Sequence, residues 1–205
     1  MNSIKSPLIR LIDIIIASIA IIAFSPIAAI IIVRLACESG PIFYCHKRIG
    51  RFKRTFYCYK FRSMTADADR ALAAHLGASL DLQLEWNCYQ KLQNDPRITP
   101  FGRCLRATSM DEIPQLFNVL IGDMSLVGHR PITESELPRY RHYGDELMNH
   151  KPGLTGLSQV SGRSLLTYRS RKAHDIYFFR NFSWSLYFYI LFKTISVVIT
   201  KKGAG

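Results

Sequence analysis

The chain has 205 residues, 48% of them hydrophobic and 12% aromatic, with a formal net charge of +12. That length suits one modest domain plus an attachment segment, and the composition can supply a real core. The charge favours anionic partners: nucleic acid, acidic lipid headgroups or phosphorylated small molecules. The five cysteines, Cys37, Cys45, Cys58, Cys88 and Cys104, are odd in number and form no CxxC pair. They argue against a disulfide framework or a zinc site and read as buried thiols in a reducing compartment.

Residues 14–33, "IIIASIAIIAFSPIAAIIIV", are apolar except for two serines and one proline. As a straight helix they span about 30 Å, the thickness of a bilayer core. The run is too long for the apolar region of a secretory signal, and no small-residue cleavage site follows it. Three features oppose a simple crossing. Pro26, after Ser25, removes a helical hydrogen bond to the Ile22 carbonyl and predicts a kink. Both flanks are basic, Lys5 and Arg10 before it and Arg34, Lys47 and Arg48 after it, which pulls both ends to the cytoplasmic face. Arg10 and Asp13 are three apart, so they are expected to pair at the helix mouth. A helix that breaks and returns to the same leaflet meets all three conditions; a proline-kinked span is the alternative.

Residues 41–64 predict a β-hairpin, two runs of β-branched and aromatic residues around a turn at "GRFK". Residues 65–93 read as helical, with Gly77 inside, and "NDPRITPFG" reads as a loop. A short helix is expected from Asp111 to Ile121, ended by Gly122. "GDMSLVGHRP" is a loop, "ITESELPRYRHYG" a broken charged helix, and "KPGLTGLSQVSGR" a glycine-rich loop with a short extended piece. The aromatic-rich segment 178–200 is either a second span or a helix lying in the membrane interface; its aromatics and Lys193 favour the interface.

In "TSMDEIPQL", Ser109 and Glu112 fit a capping box, but Pro114 would then leave the Met110 carbonyl unpaired. With Asp111 as the N-cap, Pro114 falls at the third helical position, where a missing N–H is harmless. A carboxylate at that helix mouth stays ionised, and can cap, bind a cation or attack phosphorus. Lys60 and Arg62 leave the second hairpin strand on one face. Arg97, Arg103 and Arg106 approach the Asp111 helix, and Arg130 and Arg163 sit in Gly/Pro-containing loops. Basic groups on rigid turns suit phosphate oxygens; a cationic face against acidic lipid would explain the charge but not this clustering.

"KFRSM", "DPRITPFGRCLRATSMDEIPQLFNVLIGDMSLVGHRP" and "KPGLTGLSQVSGR" together resemble the bacterial sugar transferases, or monotopic phosphoglycosyl transferases, in family order from about Lys5 to Thr194. The resemblance implies an α+β, mostly helical fold. Residues 1–34 would be a re-entrant membrane helix broken at Ser25-Pro26. Residues 35–205 would be a membrane-associated catalytic domain with a β-hairpin and amphipathic interfacial helices around a small core. It also implies transfer of a sugar phosphate from a UDP-sugar to undecaprenyl phosphate at the cytoplasmic face of a bacterial inner membrane, releasing UMP.

On that reading Asp111 is the nucleophile and the ligand for Mg²⁺, and Glu112 completes an acidic dyad. Lys60, Arg106 and Arg163 match phosphate-contacting positions, and Arg130-Pro131 match the end of a Pro-Arg-Pro element on the uridine side. His129 stands where proline is usual, which predicts a less rigid loop. Tyr187 stands where the family's "S-x3-D" pattern has aspartate, so no role carries over to it. The exopolysaccharide-initiating galactose- or glucose-phosphate members resemble the chain most. The competing reading is an inactive membrane-anchored scaffold or regulator of the same fold. The apolar segment counts against a nucleic-acid partner, and a homodimer is compatible with the sequence.

Overall fold

The computed structural model describes residues 7–89, 92, 94–140, 143–162 and 166–200. Helix α1, Pro7–Ala36, runs 30 residues, about 45 Å at helical rise. It is helical throughout, Pro26 included. The expected break is therefore a missing hydrogen bond inside a continuous helix. Ser25 compensates for it: its hydroxyl donates to the Ile22 carbonyl at 2.8 Å, the acceptor that Pro26 leaves open.

Only the two ends of α1 are fully buried. Ile9, Asp13 and Ala17 are buried at one end and Ile31 and Leu35 at the other, while Ile22 between them is 74% exposed. The expected Arg10–Asp13 pairing gives way to longer-range bonds. Arg10 donates to the Val119 carbonyl at 2.6 Å, and Asp13 accepts from the Leu126 amide at 2.9 Å and the Ser125 hydroxyl at 3.1 Å.

The hairpin forms as expected, β1 (Phe43–Ile49) antiparallel to β2 (Thr55–Phe61), in register from Phe43↔Phe61 to Ile49↔Thr55. Segment 65–93 divides into α2 (Ala68–Gly77) and α3 (Leu80–Tyr89), because the helix stops at Gly77. Helix α4, Pro100–Thr108, occupies part of what reads as loop. Thr99 caps it, accepting from the Gly102 amide, and Pro100 supplies the preset first turn. Helix α5 is Gln115–Ile121, ended by Gly122 at φ 94°.

A small parallel pair follows, β3 (Ser125–Val127) with β4 (Gly153–Thr155), separated in sequence by α6 (Tyr143–Met148). The chain then forms α7 (Leu157–Ser161), α8 (Tyr168–Arg180) and α9 (Trp184–Thr200). The expected aromatic segment is thus the end of α8, a break at 181–183, and α9. Of the four cysteines whose side chains are described, Cys58 alone is buried; Cys37, Cys45 and Cys104 are exposed, contrary to expectation.

The main core joins Ile9 and Ala17 of α1 to Leu116 and Val119 of α5, Leu126 of β3, Phe178 of α8 and Ile190 of α9. A second cluster joins Ile31 and Leu35 of α1 to Phe61 and Leu105, and Ile113 packs against both. Both ends of α1 therefore rest on one body. Helix α4 approaches the hairpin at Gly102, where an added Cβ would lie 2.0 Å from the Ser63 carbonyl oxygen. Gly102→Ala is expected to push α4 away and cost about 2–3 kcal/mol. Thermal unfolding should show a drop of roughly 5–10 °C.

Candidate active site

The chemistry converges where β2, α4 and α5 meet. Helix α4 ends at Ser109, which takes the left-handed conformation at φ 58°. Met110–Glu112 then forms a 3₁₀ turn that leads through Pro114 into α5. Asp111 thus lies within this turn, before α5, and the N-cap position of α5 falls to Pro114. Neither the Ser109 capping box nor the Asp111 cap forms: Ser109 makes no side-chain capping bond to the turn. The tight turn replaces both, bringing two consecutive acids to one cation. Lys60 Nζ, from β2, lies 2.6 Å from Glu112 Oε1 and 3.8 Å from Asp111 Oδ2.

One residue that local patterns did not single out holds this geometry. Asn118 of α5 is fully buried; its Oδ1 accepts from the Tyr59 amide at 3.0 Å and its Nδ2 donates to the Tyr57 carbonyl at 2.7 Å. The amide group thus clasps the strand next to Lys60 and fixes α5, and the dyad before it, against β2. A buried polar residue on an apolar helix needs partners, but sequence does not say which.

Asp111 is 7% exposed. Burial pushes its carboxyl up, Lys60 and Arg106 pull it down, and Glu112 adds to the rise, leaving its pKa at about 6. Glu112 moves the other way: burial alone would raise it, but the charge and hydrogen bond of Lys60, with Arg130 nearby, bring it below the usual range. Lys60 is raised, since the two acids outweigh its own burial. Two adjacent carboxyls with pKa values pushed apart can take different roles, one poised near neutrality and one held as an anion.

The expected basic residues divide by position. Arg106 Nε donates to Ser63 Oγ at 2.8 Å, and its charge reaches Asp111. Arg130 is close enough to Glu112 to stabilise its anion. The Pro131 carbonyl accepts from Arg48 at 3.3 Å, which ties the Arg130 loop to β1. Arg62 is elsewhere: it is buried, its guanidinium 3.5 Å from the Leu35 carbonyl and from Glu38 Oε2. It fastens the far end of α1, because β2 ends at Phe61 and the chain turns after it. Arg163 lies outside the described residues. Among the described residues no group of three His, Cys, Asp or Glu side chains could hold a metal by itself.

The two departures also have structural roles. His129 is fully buried, its ring edge-on to Phe179 and its carbonyl accepting from the Gly153 amide at 2.8 Å. Burial lowers its pKa to about 4, so it is neutral at pH 7. Packing and a strand-like bridge thus anchor the loop that proline would have stiffened. Tyr187 is buried, with its hydroxyl 3.5 Å from Asp13 Oδ1, so α9 meets the carboxylate that α1 supplies. Beyond the dyad, buried Asp175 accepts from Ser158 at 2.8 Å and Tyr140 at 3.3 Å, and burial raises its pKa to about 6.

Residues 4–201 match the family described as bacterial sugar transferase. The chain belongs to the bacterial sugar transferase family. This sugar transferase is 45% identical over 197 residues to the undecaprenyl-phosphate galactose phosphotransferase of Salmonella typhimurium, covering 95% of this chain and 41% of that protein. It is 41% identical over 198 residues to the exopolysaccharide production protein ExoY of Rhizobium meliloti, covering 95% and 87%. It is 34% identical over 213 residues to the UDP-glucose:undecaprenyl-phosphate glucose-1-phosphate transferase of Klebsiella pneumoniae, covering 100% and 43%. The chain thus spans about two-fifths of the length of the Salmonella and Klebsiella proteins and most of ExoY.

Proposed function

We propose that the chain is a phosphoglycosyl transferase that moves a sugar phosphate from a UDP-sugar to undecaprenyl phosphate, the first membrane step of exopolysaccharide or glycoconjugate synthesis. The observation that carries this reading is the Asp111–Glu112 pair around Lys60 in a chain of this family. An Asp111 oxygen attacks the sugar-bearing phosphorus. The bond from that phosphorus to the bridging oxygen breaks, and UMP leaves with the electron pair. An oxygen of undecaprenyl phosphate then attacks the same phosphorus, breaks the acyl-phosphate bond and restores the Asp111 carboxylate.

Lys60, Arg106 and Arg130 offset the charge of two anionic substrates at a carboxylate nucleophile. Two adjacent carboxylates suit Mg²⁺, which is ordinarily held by one or two acids plus substrate phosphates. Asp111 would hold the ion with help from Glu112, and its chemistry would be to neutralise the diphosphate.

Helix α1 supports a membrane arrangement for the chain. A helix crossing the bilayer would separate its ends by about 30 Å of hydrocarbon. Here Ile9 and Leu35 rest on one body, and the apolar residues around Pro26 face outward. This supports a helix that enters the cytoplasmic leaflet of the inner membrane and returns. The exposed Phe117 and Ile121 of α5 and Phe192, Ile195 and Ile199 of α9 add apolar surface suited to the interface.

The test is UMP release by membranes carrying the chain, with undecaprenyl phosphate and a panel of UDP-sugars. Release with one donor, UDP-galactose or UDP-glucose first among them, is the expected result. No release with any donor would favour the inactive scaffold.

A further inference from the structure

A cavity of about 250 Å³ opens beside the first turn of α1. It lies past the C-terminal end of α5, whereas the dyad precedes the N-terminal end, and no dyad residue lines it. Its polar wall holds three cations, Arg10, Arg51 and Lys151, and one carboxylate, Asp13. Asp13 is already engaged by the Leu126 amide and the Ser125 hydroxyl.

Arg10 and Lys151 converge on one point. A Cβ added to Gly122 would lie 3.3 Å from Lys151 Nζ and 3.5 Å from Arg10 Nη2. Arg10 has partners there, the carbonyls that end α5. Lys151 forms no ion pair among the described residues. Burial, with the neighbouring charges of Arg10 and Arg51, holds its pKa below the ordinary lysine value, and Asp13 and Asp123 reverse this only in part. The cavity is short of negative charge.

Ser125, Asn149, His150 and Tyr187 complete the polar lining, and Pro7, Ile9, Val127, Phe178 and Phe182 form an apolar wall. Beside that wall Leu8 and Leu11 are half exposed on the outer face of α1. An anionic group with hydrocarbon attached fits this combination better than a free anion, because the apolar part has surface to cover.

We propose that this cavity is a second phosphate site, apart from the dyad, which takes the headgroup of an anionic phospholipid. The lipid phosphate bridges Arg10, Lys151 and Arg51, and its acyl chains lie along Leu8 and Leu11. Such a lipid clamps the start of α1 to the C-terminal end of α5 and so fixes the depth at which the domain sits. The proposal requires no catalysis, so it stands or falls apart from the transferase reading.

The test uses the full chain in nanodiscs of phosphatidylcholine, with and without phosphatidylglycerol. Thermal unfolding and native mass spectrometry of co-purified lipid are the readouts. Phosphatidylglycerol is expected to raise the Tm and to be retained preferentially. Lys151→Gln should weaken that retention roughly tenfold, the scale of one lost charge-assisted contact. Lys193→Gln, an exposed cation on α9, should leave retention unchanged. Arg51→Gln repeats the measurement if Lys151→Gln does not fold. Equal stabilisation by phosphatidylcholine, or full retention of phosphatidylglycerol by both variants, would overturn the proposal. So would inorganic phosphate reproducing the whole effect, which would make the site one for free anions. Selective displacement of phosphatidylglycerol by undecaprenyl phosphate would instead make it an acceptor site and overturn the structural assignment.

Discussion

Asp111→Asn is expected to lower turnover by on the order of 10⁴-fold or more while leaving the chain folded, since an amide cannot serve as the nucleophile. The side chains are nearly isosteric, and Lys60 keeps its shorter contact, to Glu112. Stability should hold or rise. Burial raises the Asp111 pKa to about 6 from an ordinary 3.8. Between those values the folded chain binds a proton that the unfolded chain does not, so stability falls as pH climbs through this window. Above it the cost of the buried anion is fully present, and asparagine removes it. The activity loss therefore should come with an unchanged or higher Tm. Mass spectrometry of enzyme with UDP-sugar and Mg²⁺ but no lipid should find a phosphosugar adduct on the Asp111 peptide, absent from the variant. Substantial activity in the variant, or UMP appearing only with acceptor and without an adduct, would support direct displacement in a ternary complex.

The local features were legible where the physics is local. The hairpin follows from alternating aromatic and β-branched runs, and the end of α5 from Gly122. The two acids are adjacent in sequence, but their lysine is not: the structure brings Lys60 to both acids across 51 and 52 residues of sequence. Helix α4 also has a local signal: within "NDPRITPFG", which otherwise has loop chemistry, Thr99-Pro100 is a cap followed by a proline at the first helical position.

Other features depend on partners that no window of sequence contains. Arg10 and Asp13 have the spacing of a helical pair, yet each finds a better partner more than a hundred residues away. Buried backbone groups at the end of α5 and the start of β3 require satisfaction, which outweighs a surface pair worth a few tenths of a kcal/mol. Arg62 shares strand parity with Lys60 but falls just past the strand, so its direction follows the turn rather than the pleat. Asn118 looks like one polar residue in an apolar run until β2 lies beside it.

Lys60→Met tests how far this one cation sets the chemistry of the dyad. Methionine keeps much of the length and the apolar stem but removes the charge between two carboxylates. Removing one electrostatic donor of this kind costs about 10²–10³ in kcat. The pH profile distinguishes a chemical role from a merely structural one. On the proposed mechanism Asp111, with its pKa raised to about 6, must be ionised to attack, so kcat/KM should rise with pH through that value. Lys60 is the largest of the influences holding the Asp111 pKa down, and Glu112 pushes it up. Without the lysine, burial and the neighbouring anion act with less opposition, and the acid limb should move to higher pH. The variant should therefore recover part of its activity on going from pH 7 to pH 9, where the parent gains little. Lys60→Arg keeps the charge and should hold the acid limb near its parent position, even if the bulkier fork lowers kcat. A Lys60→Met chain with reduced kcat but an unmoved acid limb would mean that the lysine contacts substrate phosphate without tuning the nucleophile.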